Sequence, residues 1–308
     1  MTAADLAVVA AHPRSAREHR SASSLVGVPE PISFLSDFGH NDEFVGVVHG
    51  VIARIDPDIR VLDIVHEIPP GDVRAGALAL LRAIQYLPNG VALGVVDPGV
   101  GTGRKAMAAA TEWGYFVGPD NGLLAPAVAM VGGADLIVSI EDPQFRIPSE
   151  GSTFDGRDVF APAAAVLAAG QADITDLGPQ IAHDKVIPLM LPLVEPASGT
   201  AVGEILWVDH FGNAQTNITP ADLAAIGGEE GGELTLGVGA SRHQLPWVTA
   251  HGDVADGVGL VHVDSYGQMA IGVRGGRADD LFAIQAGVAV SLSAERRVPV
   301  ELQSAPPT

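Results

Sequence analysis

Between residues 31 and 170 the apolar positions alternate between two rhythms. Pro31-Ile32-Ser33-Phe34-Leu35-Ser36 is a short apolar run that ends in Asp37-Phe38-Gly39, which predicts a strand followed by a glycine turn. Phe44, Val47, Val48, Val51, Ile52 and Ile55 then recur on one face at 3.6 spacing, with Pro57 just beyond, so a helix follows. Residues 60–65 predict a second strand, and Asp72 caps a second helix whose buried stripe is Val73, Ala77, Leu80, Leu81 and Ile84. Residues 91–96, 105–111, 115–117 and 136–140 predict further strands, and 123–130 a short helix. Asp158 is expected to cap an alanine-rich helix over 159–169, which Gly170 closes. Strand, helix, strand, helix, strand is the βαβ rhythm. It predicts an α/β fold whose N-terminal domain is a doubly wound, mainly parallel sheet with right-handed crossovers.

Past the proline-rich stretch 188–199 the rhythm changes. Residues 202–208, 233–238, 258–263, 269–273 and 288–292 are short, often β-branched segments separated by glycine turns, with one brief helix near 220–226. Strands without intervening helices predict a smaller C-terminal antiparallel, β-barrel-like domain. The expected organisation is a disordered extension over 1–29, an α/β domain over 30–190 and a β-rich domain over 200–296. The extension carries Arg14, Arg17, Arg20 and a serine cluster without a sustained period.

Composition narrows the function classes. The chain has 308 residues, 47% of them hydrophobic, and a formal net charge of −20 from 37 acidic and 17 basic side chains. So acidic a surface repels phosphate backbones and anionic lipid, so neither nucleic acid nor a membrane surface is an expected partner. Cysteine is absent, which removes disulfides, thiolate nucleophiles and zinc-thiolate sites together. With no signal-like h-region and no long apolar run, the expected location is cytoplasmic. His40, Asp42, His66, His210, His262 and Asp264 are ligand types, but no helix carries two histidines one turn apart, and no metal is expected. Gly99, Gly101 and Gly103 have the wrong spacing for a dinucleotide fingerprint and lead toward a strand.

The chemistry-bearing stretch is Val95-Val96-Asp97-Pro98-Gly99-Val100-Gly101-Thr102-Gly103-Arg104. Its acid stands at a strand end, where open α/β sheets place their ligands, with an arginine within reach. The same residues are also ordinary turn chemistry, in which Asp97 caps a turn.

Several patterns recur in one order across residues 31–295: Ser36-Asp37-Phe38-Gly39, Asp97-Pro98-Gly99-Val100-Gly101 with Arg104, Pro119-Asp120-Asn121-Gly122, Thr153-Phe154-Asp155-Gly156-Arg157-Asp158, and Asp209-His210-Phe211-Gly212-Asn213 with Thr216-Asn217. Together they closely resemble the S-adenosylmethionine (SAM) hydroxide adenosyltransferases, the adenosine-forming hydrolases related to fluorinase and chlorinase. The resemblance implies a homotrimer that binds SAM where one subunit's first domain meets a neighbour's second, without metal or other cofactor. It implies displacement of methionine from the ribose 5′ carbon, by water in the hydrolases and by halide in the halogenases. It assigns Asp37 to the ribose hydroxyls, Asp209 to the methionine ammonium, Asn213 to an adenine nitrogen, Phe211 to the purine face, Ser265 to the methionine end and the backbone at Val273 to the adenine edge. Beside these assignments stand plainer ones: an Asx turn for Asp209 and Asn213, and core packing for Phe211.

Position 97 decides the attacking group. The halogenases carry tyrosine there and the hydrolases aspartate, so the resemblance makes Asp97 with Arg104 point to water. The chain departs from the hydrolases at Asp155, where they carry histidine; an ionised aspartate only accepts hydrogen bonds, whereas histidine can pass a proton. Asp155 is expected either to share the site with Asp97 and titrate with it, or to pair with Arg157. The expected function is hydrolysis of SAM to adenosine and L-methionine, with Asp97, Arg104 and Asp155 as the catalytic set. A non-catalytic or very slow adenosine- or SAM-binding protein is the alternative.

Overall fold

The computed structural model describes residues 28–197 and 199–294. Nearly all of the expected N-terminal extension, and the tail after Pro299, lie outside the described residues. The first sheet contains β1 (Ile32–Ser36), β2 (Val61–Val65), β3 (Gly90–Val95), β4 (Ala106–Ala110), β5 (Gly114–Pro119) and β6 (Leu136–Ser139) in the order β2-β1-β3-β5-β4-β6. Pairing is parallel from β2 through β5, while β4 runs antiparallel to both its neighbours. The central strands β1 and β3 are buried along their whole length. Their near-continuous apolar sequences are those of strands covered on both faces.

The helices divide by face. Successive side chains of a strand point to opposite sides, so Phe34 and Leu93 face one layer and Leu35 and Ala92 the other. Helix α1 (Phe44–Ile55) packs Val48 and Ile52 into the first layer, joined by the alanine-rich α4 (Ala161–Ala168). Helices α2 (Val73–Ile84) and α3 (Ala125–Met130) fill the second with Ala77, Leu80 and Ala127. Asp72 caps α2 as its sequence predicts, accepting the Ala75 N–H at 2.9 Å. Asp158 does not cap α4. A π-turn, Gly156–Phe160, precedes that helix and encloses Asp158, whose carboxylate is taken by the Arg157 guanidinium at 2.6 and 2.8 Å. The helical path therefore begins at Asp155.

The second sheet is antiparallel along β11-β10-β14-β8-β9-β13-β12, with β7 (Glu195–Ala197) on β8. Its strands are β8 (Thr200–Val208), β9 (Ala214–Thr216), β10 (Glu233–Val238), β11 (Ser241–Pro246), β12 (Gly259–Val263), β13 (Met269–Val273) and β14 (Ala289–Ala294). A bridge from Trp247 to Val261 links its two ends, which makes it nearly a barrel around Ile205, Leu234, Leu236, Leu245, Ile271 and Leu292. Two short helices, α5 (Pro220–Ala225) and α6 (Ala278–Phe282), lie between strands. Sequence patterning misses β7, β9, β11 and α6. Among the described residues no helix is long and apolar enough to cross a membrane.

The two sheets meet along α2. Arg74 Nη1 reaches Glu204 Oε1 at 2.5 Å, and the Arg82 guanidinium lies 4.1 Å above the Trp207 ring. Burial pushes Arg82 below the ordinary arginine range.

Candidate active site

Ser36 and Val95 are register partners on the parallel strands β1 and β3, so Asp37 and Asp97 leave the sheet at the same carboxyl edge. The Asp37 N–H donates to the Val95 carbonyl at 3.3 Å. Beyond Val95 the chain is held by the turn after β5: the Asn121 amide donates to the Val96 carbonyl at 2.9 Å. The glycine-rich loop then doubles back through hydrogen bonds from Val100 N–H to the Asp97 carbonyl and from Thr102 N–H to the Gly99 carbonyl. Gly101 makes this possible, with φ of +74° and a close approach in which a Cβ would sit 3.0 Å from the Ser152 carbonyl oxygen.

That fold-back brings Arg104 onto Asp97. Its Nε lies 2.9 Å from both carboxylate oxygens, and Nη2 bonds Asp97 Oδ2 and, at 2.5 Å, Asp155 Oδ2. The guanidinium also sits 5.1 Å from the centroid of Phe160, in the π-turn that follows Asp155. The three side chains are 6, 11 and 18% exposed for Asp97, Arg104 and Asp155. Burial opposes the arginine charge, but hydrogen bonds and attraction from Asp97 and Asp155 outweigh it and push its pKa up. Asp155 thus faces Arg104, while Arg157 is occupied by Asp158.

Asp37, Asp97 and Asp155 line one cleft with Phe38, Val95 and Phe154. Burial raises the pKa of Asp37, helped by the Asp97 charge and opposed by the Gly71 N–H that donates to Oδ2 at 2.8 Å. The cleft opens beside a groove walled by Phe38, Phe44 and Phe154, whose rings meet edge to face or tilted. At position 156 a Cβ would lie 2.8 Å from Phe38 Cζ, so a side chain there has to displace that ring.

The remaining sequence-predicted residues form a separate group on the second sheet. Asp209 Oδ1 accepts from the N–H groups of Phe211 and Asn213, and Oδ2 from the Asn213 amide at 2.9 Å, which is an Asx turn. Phe211 at its tip is 73% exposed, so it is not core. Asn213 Oδ1 meets His251 Nε2 at 3.2 Å. Ser265 is exposed in the turn between β12 and β13, and Val273 is buried at the end of β13. The cleft around Asp97 takes its lining from residues 37–156, and none of the second group lines it.

Sequence reading quotes Ser36 and Asn121 within motifs and His66 as a ligand type, but gives none of the three a role beside the cleft. Asn121 anchors the end of β3, and Ser36 and His66 are fully buried and bonded to each other at 2.7 Å. Their signal is an apolar strand end carrying a polar residue, Ser36 in one strand and His66 just after another. Among the described residues no three histidine, aspartate or glutamate side chains converge to hold a metal ion.

Known sequences resemble this chain along most of its length. The sequence model of the SAM hydroxide adenosyltransferase N-terminal domain matches residues 32–178, and that of the C-terminal domain matches 203–291. The chain belongs to the SAM hydroxide adenosyltransferase family. Within it, the chain is 45% identical over 260 residues to the (R)-S-adenosyl-L-methionine hydrolase of Salinispora tropica, covering 84% of this chain and 96% of that protein. It is 39% identical over 271 residues to the Thermus thermophilus protein of the same name, covering 85% and 99%. A solved structure of an uncharacterized conserved protein from Thermotoga maritima aligns with a TM-score of 0.79 at 33% identity, covering 85% of this chain and 99% of that one. Fluorinases match at lower identity. The first matched span covers the α/β sheet and the second the β-rich one, and the cleft lies in the first.

Proposed function

We propose that this chain hydrolyses SAM to adenosine and L-methionine, with water as the nucleophile at the ribose 5′ carbon. The observation that carries the reading is Asp97, held by Arg104 at the carboxyl edge of β3. In this reading the carboxylate accepts a hydrogen bond from one water molecule and aims its oxygen at the 5′ carbon. As the new C–O bond forms, the C–S bond breaks and its electron pair stays on sulfur, so methionine leaves as a neutral thioether and needs no acid. The proton shed by the water passes to a site carboxylate and then to solvent.

Electrostatics supports the same reading. Three carboxylates share the cleft with one guanidinium, which leaves it net negative. Such a site attracts a sulfonium cation and repels chloride or fluoride. Asp155 replaces the family's histidine as the second partner of Arg104, and serves as a further acceptor for the released proton. Asp37 receives the ribose hydroxyls. Asp209, Phe211, Asn213, Ser265 and the Val273 backbone complete the site from a neighbouring chain of a homotrimer, as the resemblance implies; that none of them lines the cleft within one chain motivates this.

The test is chromatography of purified protein incubated with either sulfonium epimer of SAM. Adenosine and methionine accumulate above a protein-free control, and Asp97→Asn lowers the rate about 10²-fold or more, the usual contribution of a positioned general base. Tight SAM binding with no adenosine would leave only a binding protein.

A further inference from the structure

Beneath the cleft lies a chain of polar groups that the reaction itself does not use, buried at Ser36 and His66 and open to solvent at Asp63. Ser36, His66 and Asp63 are ordered like a hydrolytic triad, yet Ser36 and His66 are both 0% exposed, so no substrate reaches the hydroxyl. The chain runs instead toward the backbone on either side of Asp37.

The direction of each bond is fixed by donor inventory. Asp63 Oδ1 is met by His66 Nε2 at 3.0 Å and by His49 Nε2 at 2.9 Å. An ionised carboxylate only accepts, so both ring nitrogens donate. A neutral His66 that donates from Nε2 has a lone pair on Nδ1, so the Ser36 hydroxyl donates to it at 2.7 Å. The Ser36 oxygen is then free to accept the Phe38 N–H at 3.3 Å. The His66 carbonyl accepts the Gly39 N–H at 2.7 Å. Residues 36, 38 and 39 are therefore all tied to His66, and Asp37 stands between them.

We propose that Ser36, His66 and Asp63 form a positioning relay that fixes the Asp37 carboxylate for the ribose hydroxyls. The inference rests on the function proposed above, in which Asp37 is the ribose ligand. The relay requires neutral His66, because a protonated ring turns Nδ1 into a donor and leaves the Ser36 hydroxyl hydrogen without its acceptor. The groups that face His66 are Asp63 from β2, His49 from α1, His40 from the loop after β1, with its ring centroid 5.3 Å away, and Ser36 from β1. Burial lowers the His66 pKa, aided by the two histidines and opposed by Asp63, which keeps the ring neutral at neutral pH.

The experiment compares wild type, Ser36→Ala and the conservative Ser36→Thr. Readouts are steady-state hydrolysis of SAM and calorimetric binding of adenosine and 2′-deoxyadenosine, with melting temperature as a fold control. Ser36→Ala is expected to weaken adenosine binding and raise KM about tenfold, the worth of one buried hydrogen bond network link. The loss falls on KM more than on kcat, and the preference for adenosine over 2′-deoxyadenosine shrinks; Ser36→Thr restores both. Wild-type KM rises as pH falls below the ordinary histidine range, and Ser36→Ala loses that rise. A Ser36→Ala protein that melts lower but keeps wild-type KM and ribose preference overturns the relay while leaving the hydrolase reading intact. Wild-type protein that forms no adenosine overturns the hydrolase reading, and the nucleoside binding arm then decides the relay separately.

Discussion

Asp37 carries the sharpest conflict between stability and use at the scale of single residues. Its folded pKa is raised, chiefly by burial, so the folded state favours the protonated form. A raised carboxylate contributes stability at low pH that is lost as pH rises, so at neutral pH the ionised group costs stability. Asp37→Asn is therefore expected to raise Tm by about 2 °C at pH 7–8, with the gain vanishing near pH 3, while SAM binding weakens. Thermal melts across that range check the sign; a lower Tm at neutral pH contradicts it. Asp97 and Arg104 were legible from the sequence because a strand end and a seven-residue loop keep them local. The partner of Asp155 was not. Arg157 is two residues away and Arg104 fifty-one, and only the π-turn, which gives Arg157 to Asp158, decides between them.

Among the elements, that π-turn is the device that shapes the cleft wall. Such turns are rare and concentrate at functional sites, and no sequence pattern marks this one, which is why Asp158 reads as a helix cap. The turn starts where Gly156 meets the Phe38 ring, and Phe38 follows Asp37 directly. Gly156→Ala is expected to push Phe38 aside, costing about 1–3 kcal/mol in urea unfolding and lowering kcat/KM together. Unchanged stability and activity would show that the ring has room to move. Elsewhere the elements follow their patterns: α1 and α2 were readable from 3.6 spacing, and the buried strands β1 and β3 from unbroken apolar runs. Strand β11 was not, because Ser241-Arg242-His243-Gln244 is polar and mostly exposed, and it forms only as the return arm of a hairpin with β10.

At the scale of the whole molecule, the proposed reaction draws on two separate groups of residues. The doubly wound sheet and the β-rich sheet were both legible, since the loss of intervening helices after residue 199 is a change of period. Their assembly was not, because contacts such as Arg74 with Glu204 join residues 130 positions apart without a local signature. If neighbouring chains share each site, mixing two inactive variants regenerates some intact sites. Co-refolded or co-expressed Asp97→Asn and Asp209→Ala chains are expected to recover roughly a quarter to a third of wild-type turnover, because complementary halves meet at a fraction of interfaces. Absence of any recovery, with mixed oligomers verified by mass, would place both groups in one chain's site.

The claim at the centre of this account is that a clamped carboxylate in a net negative cleft selects water over halide. Its most direct measurement is the product ratio when the protein turns over SAM in high chloride, read by chromatography as adenosine against 5′-chloro-5′-deoxyadenosine. The account predicts adenosine alone at every chloride concentration, with turnover collapsing in Asp97→Asn. Formation of the chlorinated nucleoside by the wild type, or full adenosine production by Asp97→Asn, would contradict it.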